Sequence, residues 1–206
     1  MRRHIPNLLT TSRFFMAIGF FIILAFYNAR QSQSWPVLDV AFAVFLVAVL
    51  TDTIDGYLAR RLGHITTFGR IADPFVDKII VCGALAYFLG EQFIVVRPDG
   101  AAENLTGWRP WMVALILARE LLVTGMRSFS ESHYIPFAAS LSGKIKMFIQ
   151  CVAIAWCLFY AEHWTGGPEW TRTVRDGLVW ATTLVTLFSG LVYVKRAYHL
   201  LRMPPD

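Results

Sequence analysis

The sequence predicts an all-α integral membrane protein, a bundle of six transmembrane helices. Three observations carry this prediction. Of the 206 residues, 56% are hydrophobic, and the mean hydropathy is +0.50. Apolar runs recur along the whole length, each near the ~20 residues that a bilayer requires of a helix. The runs are separated by short connections, so residues 1–206 read as one membrane domain with no room for a separate soluble one. The formal net charge of +5 is less informative than where the charges fall. No nucleic-acid partner is expected.

The spans are placed at residues 8–28, 37–58, 70–96, 110–130, 143–162 and 177–198, with ends set to about 4 residues. Pro6 and Arg13 mark the start and interface of the first. No small-residue cleavage site follows that run, so it reads as a retained helix rather than a signal peptide. Connections at 31–36, 97–110 and 162–176 fall on one side of the membrane. The N-terminus, 60–69, 130–143 and the C-terminal tail fall on the other. Of the nineteen Lys and Arg residues, only Arg30, Arg97, Arg109, Arg172 and Arg175 belong to the first side. Basic residues favour the cytoplasm, which puts both termini there. Trp35, Trp108, Trp111, Trp164 and Trp170 gather at the opposite face, where an aromatic belt is expected.

Cys82, Cys151 and Cys157 all lie in apolar runs. An odd count without a Cys-x-x-Cys pair speaks against a disulfide framework or a zinc site. His4, His64, His133, His163 and His199 are scattered and suggest no metal cluster.

The chemistry sits at the junction of spans two and three. Asp52-x-x-Asp55-Gly56-x-x-Ala59-Arg60 is followed, after eight residues, by Gly69-x-x-x-Asp73-x-x-x-Asp77. Spacings of three and four put each aspartate pair on one helical face. A carboxylate in a membrane segment costs ~3 kcal/mol on insertion scales and needs a partner. Four together repel unless cations lie between them, and hard oxygen ligands suit Mg²⁺ or Mn²⁺. Two ions held by antiparallel neighbouring spans would clamp a pyrophosphate. Gly56 lets a ligand approach the helix closely. Arg60, one turn on, can pair with a phosphate, and Thr66 adds a hydroxyl in the connection. Pro74 removes a helix hydrogen bond beside Asp73. A single intramembrane aspartate is ordinarily an ion path or a structural pairing. The full constellation is far more specific, because each fixed position adds to the motif.

These residues resemble the signature of the CDP-alcohol phosphatidyltransferase family, D-x2-D-G-x2-A-R-x8-G-x3-D-x3-D, at every fixed position. The six-span layout fits as well, so the resemblance extends over essentially the whole chain. It implies a metal-dependent transfer of a phosphatidyl group from CDP-diacylglycerol to an alcohol, with release of CMP. It implies that Asp52, Asp55 and Asp73 are metal ligands and that Asp77 touches the metal site and acts as general base. Gly56, Arg60 and Thr66 would hold the CDP moiety; Asn7 and Thr10 would line the nucleotide site or merely cap the first helix. The resemblance also implies a homodimer. A bacterial inner membrane is expected, since no Arg-rich presequence precedes span one.

Three further segments are similar to the branch of that family whose acceptor is glycerol 3-phosphate. They are Ile5 to Arg13, the stretch from Ala118-Arg119-Glu120 to Gly125-Met126-Arg127, and Ser142-Gly143-Lys144-Ile145-Lys146. Arg119 and Arg127 are eight apart, about two helical turns, hence on roughly one face. With Lys144 they would cup the acceptor's phosphate; Arg127, Lys144 and Lys146 also satisfy the simpler role of topology charges. Glu120 pairs with a neighbouring arginine in this reading. Two rivals remain. One is a transferase of the same family that uses inositol phosphate or phosphatidylglycerol as acceptor. The other is a cation transporter, which should carry polar residues near the midplane; spans five and six are expected to offer none that match the aspartates.

Overall fold

The structure is a computed structural model. It describes residues 5–30, 36–62, 78–96, 100–132 and 141–201, with the backbone alone at 5–11, 52–62, 127–129, 131–132, 141–142 and 196–201. Six helices are present among the described residues: α1 (Ile5–Ala25), α2 (Val37–Leu62), α3 (Lys78–Tyr87), α4 (Pro110–Ser132), α5 (Leu141–His163) and α6 (Glu169–Leu201). Two described stretches, Gly143–His163 and Glu169–Lys195, are long and apolar enough to cross a membrane. Shorter apolar stretches are Ser12–Ala25, Val37–Thr51 and Lys78–Tyr87.

The third span departs from its expected course. It was placed at 70–96, but the described helix ends at Tyr87. The chain then makes a turn, a short 3-10 turn (Glu91–Phe93), and the strand β1 (Ile94–Val96), which pairs antiparallel with β2 (Ala102–Asn104). The all-α expectation thus misses a small ribbon. The physical reason is local. Ile94, Val95 and Val96 are β-branched and favour extended backbone. Polar partners also stop the helix: Asn104 Nδ2 donates to the Phe88 carbonyl at 2.7 Å, and Leu105 N–H donates to Phe93 O at 2.8 Å. Gly107 closes the segment at φ +72°, a left-handed conformation that glycine adopts without steric cost.

Among the described residues, buried apolar side chains fill the ribbon end of the bundle. Phe20 and Leu24 come from the C-terminal half of α1, and Leu38 and Phe45 from the N-terminal half of α2. Leu85 and Phe88 follow from the end of α3, Met112 and Ile116 from the start of α4, and Ile154 and Leu158 from the second half of α5. This alternation of halves is that of an up-and-down bundle. Phe20 meets Phe45 at 5.8 Å between ring centroids, and Phe21 stacks on Tyr87 at 5.7 Å. Gly83 permits the α1–α3 approach, since a Cβ there would overlap the Phe21 ring.

Trp108 belongs to this core rather than to a belt. It is 2% exposed, packed beneath the ribbon. Trp164 and Trp170 do cluster at the α5–α6 turn, where Trp156 joins them. The α2 N-terminus is tied to the end of α5 at the same level: Leu38 N–H donates to Glu162 Oε2 at 3.1 Å, and His163 meets Asp39 at 2.7 Å. Outward-facing positions carry large apolar groups, among them Leu121, Phe148 and Phe188.

Candidate active site

α2 runs unbroken through Gly56 to Leu62. Its backbone therefore places positions 52 and 55 on one helical face, with position 60 rather more than a turn further on. The side chains of Asp52, Asp55 and Arg60 lie outside the described residues, as do Thr66, Asp73 and Asp77 in full and the side chains of Asn7, Thr10 and Arg127. Among the described residues, no group of three or more His, Cys, Asp or Glu could hold a metal ion.

From Lys78 onward, charged and polar side chains meet inside the bundle. Glu120, on the buried stripe of α4 with Met112, Val113, Ile116 and Val123, is 8% exposed. Its Oε1 accepts from Arg119 Nη1 at 2.9 Å and from Lys146 of α5. Its Oε2 lies 4.0 Å from Lys78 Nζ of α3. Lys78 also donates to the Thr124 hydroxyl, which in turn donates to the Glu120 carbonyl at 2.7 Å. Arg119 reaches across to α6, where its Nε and Nη2 meet Ser189 Oγ at 3.0 and 2.6 Å. Its guanidinium also lies 5.1 Å from the centre of the Tyr193 ring. Three helices thus meet at one carboxylate, and α6 joins them through Arg119. Three cations surround one anion, in a place where burial strengthens each pairing.

Of the three residues assigned to an acceptor phosphate, Arg119 is in this cluster, Lys144 is exposed near the start of α5, and the Arg127 side chain lies outside the described residues. Lys146, set down as a topology charge, is 4% exposed and paired. Residues two apart on a helix differ by about 200°, so only one of Lys144 and Lys146 can face inward. The signal was available: Lys146, Gln150, Ala153, Ile154 and Cys157 fall at helical spacing, and all are buried. Glu120 does pair with its neighbouring arginine, as expected, and with Lys146 besides.

Spans five and six are expected to offer no polar residues that match the aspartates; they do carry buried polar side chains of other kinds. Lys146 and Gln150 on α5, and Thr182, Thr183, Thr186 and Ser189 on α6, are buried. These do not form a path of carboxylates. Thr182 and Thr183 donate to carbonyls of their own helix, Leu178 O at 2.8 Å and Val179 O at 2.9 Å. Such back-bonding satisfies a hydroxyl without a ligand. Gln150 Nε2 and Thr186 Oγ1, about a turn from Lys146 and Ser189, have no hydrogen-bond partner among the described residues.

The opposite end holds a second charged group with a structural task. Arg175 donates to Leu105 O and Asp176 Oδ1, both at 2.8 Å, and lies 4.9 Å from the Tyr160 ring centre. Arg172 meets Glu103 at 2.7 Å, and Arg30 Nε donates to Ile94 O at 3.2 Å. These contacts fasten the ribbon to α6 and to the end of α1.

Comparison with known proteins gives a consistent result. The sequence model of the CDP-alcohol phosphatidyltransferase family matches residues 3–188. The chain is 32% identical over 205 residues to a Bacillus subtilis protein named CDP-diacylglycerol–glycerol-3-phosphate 3-phosphatidyltransferase, covering 97% of each chain. It is 35% identical over 195 residues to a probable phosphatidylglycerophosphate synthase of Mycobacterium tuberculosis, covering 94% of this chain and 81% of the relative. A Rickettsia typhi protein with the first of these names is 30% identical over 193 residues, covering 94% and 96%.

Proposed function

Because this chain belongs to the CDP-alcohol phosphatidyltransferase family, we propose that it transfers the phosphatidyl group of CDP-diacylglycerol to glycerol 3-phosphate, giving phosphatidylglycerophosphate and CMP. The observation that carries the reading is the unbroken signature from Asp52 to Asp77 in a chain matched over 94–97% of its length by relatives named for this reaction. The enzyme is a phospholipid-synthesising transferase.

In this proposal Asp52, Asp55, Asp73 and Asp77 hold Mg²⁺ or Mn²⁺, two ions per site, and those ions when bound neutralise the pyrophosphate and acidify a nearby hydroxyl. Asp77 takes the proton of the attacking glycerol-3-phosphate hydroxyl. The new bond forms between that oxygen and the lipid phosphorus, and the bond from phosphorus to the CMP oxygen breaks. Gly56 admits the nucleotide against α2; Arg60 and Thr66 bind it, and Asn7 and Thr10 line its other side. Direct attack by the alcohol needs no cysteine, serine or histidine nucleophile.

The acceptor phosphate is assigned to Arg119, Arg127 and Lys144. A guanidinium has five N–H donors. Among the described residues Arg119 directs three of them at Ser189 and Glu120, and the other two would serve a phosphate. A neutral acceptor would have no use for such cations.

The six helices span the bacterial inner membrane in this reading, with both termini and the aspartates on the cytoplasmic side. Two features support it. Lys78, Arg119 and Lys146 gather toward one end, and Arg30, Arg172 and Arg175 at the other. Exposed Leu121, Phe148 and Phe188 suit contact with membrane lipids. A homodimer is proposed from the family resemblance.

The test is CMP release from CDP-diacylglycerol by purified protein with Mg²⁺, offering glycerol 3-phosphate, inositol 1-phosphate and phosphatidylglycerol separately. Turnover with glycerol 3-phosphate alone is the expected result. Turnover with phosphatidylglycerol instead keeps the family and discards the phosphate assignment, whereas turnover with inositol 1-phosphate keeps both and changes the acceptor. Folded protein without turnover on any of them sinks the reading.

A further inference from the structure

From the contacts of the buried cluster we infer that Glu120 is a positioning residue that holds the cationic acceptor subsite together and thereby sets the affinity for a phosphorylated acceptor. The inference rests on the proposed transfer to glycerol 3-phosphate and concerns a residue which that proposal leaves without a task.

The argument begins with repulsion. Arg119 Nη1 and Lys146 Nζ both bond to the same atom, Glu120 Oε1. Lys78 Nζ stands 4.0 Å from the other oxygen. Like charges this close in surroundings of low dielectric drive one another apart unless an anion lies between them. Glu120 is that anion. Without it the two lysines have reason to swing away from one another, and Arg119 loses its hold on one side.

Charge count follows. Three cations and one carboxylate leave a surplus of two positive charges among these four residues. A phosphate monoester carries about −1.5 to −2 near neutral pH. A positive balance among these four side chains suits a phosphate monoester better than a phosphodiester or a neutral alcohol. Removing the carboxylate makes the surplus three, but a more positive cluster that is splayed apart binds worse than a smaller charge held in register.

Position adds a second consequence. Lys78 follows Asp77 directly in sequence, and it is fastened to α4 through Thr124 and Glu120. Arg119 fastens α4 to α6 through Ser189. Glu120 therefore ties the helix that follows the aspartates to the helix that carries the acceptor arginine. It touches no reacting atom in this account and acts through Arg119, Lys146 and Lys78.

The experiment is steady-state kinetics of full-length protein in mixed micelles with Mg²⁺, measuring KM for glycerol 3-phosphate and for CDP-diacylglycerol separately, alongside thermal unfolding. Glu120→Gln is expected to raise KM for glycerol 3-phosphate by about tenfold or more, with KM for CDP-diacylglycerol within about twofold of the wild type. Glu120→Asp keeps the charge one methylene shorter and is expected to recover part of the loss; it carries the same split if the Gln variant does not fold. Equal rises in both KM values, a fall in kcat or thermal stability alone, or an unchanged or lowered glycerol-3-phosphate KM overturns the positioning role while leaving the reaction intact. Wild-type turnover with an unphosphorylated acceptor only would overturn the underlying reading, and the positioning role with it.

Discussion

Arg119 of α4 gives two N–H groups to the hydroxyl of Ser189 on α6, at 3.0 and 2.6 Å, while Tyr193, one turn further along α6, offers the guanidinium its ring face at 5.1 Å. Ser189→Ala removes the acceptor and leaves both groups in a largely buried place, since the Arg119 side chain is 9% exposed. Orphaned buried donors cost about 1–3 kcal/mol. A lowered midpoint of thermal unfolding in detergent is expected, and an unchanged one would show that the contact is not maintained.

Asp52→Asn and Asp77→Asn are expected to abolish CMP release while the protein still inserts and unfolds at the wild-type temperature. Each loses a charge that the reaction needs and that the apolar bundle itself does not. Chelation with EDTA should remove activity from the wild type, and added Mg²⁺ should return it. Normal turnover by Asp77→Asn would remove the general-base assignment.

Gly83→Val should be destabilising, because a Cβ at that position overlaps the Phe21 ring. Overpacking of this kind costs about 1–3 kcal/mol. Shortening the ring in Phe21→Ala/Gly83→Val should return part of the loss. The double-variant cycle, read by thermal unfolding, separates the steric clash from any effect of glycine on the helix backbone.

Orientation can be read with a membrane-impermeant thiol reagent, after Cys82, Cys151 and Cys157 have been replaced by alanine. Lys144→Cys and Ala101→Cys are both at exposed positions. The first should label only in inside-out vesicles and the second only in right-side-out cells. Labelling of both from one side would overturn the proposed topology.

Much of the molecule is legible in the chain by itself. The helices follow from the apolar runs, and α2, α4 and α5 lie close to their expected bounds. The aspartate motif needs no fold to be recognised, because fixed spacing on a helix is a one-dimensional property. What the sequence left open depends on which neighbours a residue meets. Lys144 and Lys146 look alike in the chain, and the packing of α5 leaves one exposed and buries the other against Glu120. Glu120 reads as a local partner of Arg119, and it is the junction of three cations from three helices. The ribbon at 94–104 escaped notice because an apolar Ile-Val-Val run serves helix and strand alike; the pairing with 102–104 and the Asn104 contact to Phe88 decide it. Local preferences and spacing act along one strand of covalent bonds, and the sequence by itself determines them. Charge pairing and burial act between segments as much as 124 residues apart, as Asp39 and His163 are, and only the tertiary structure brings those together.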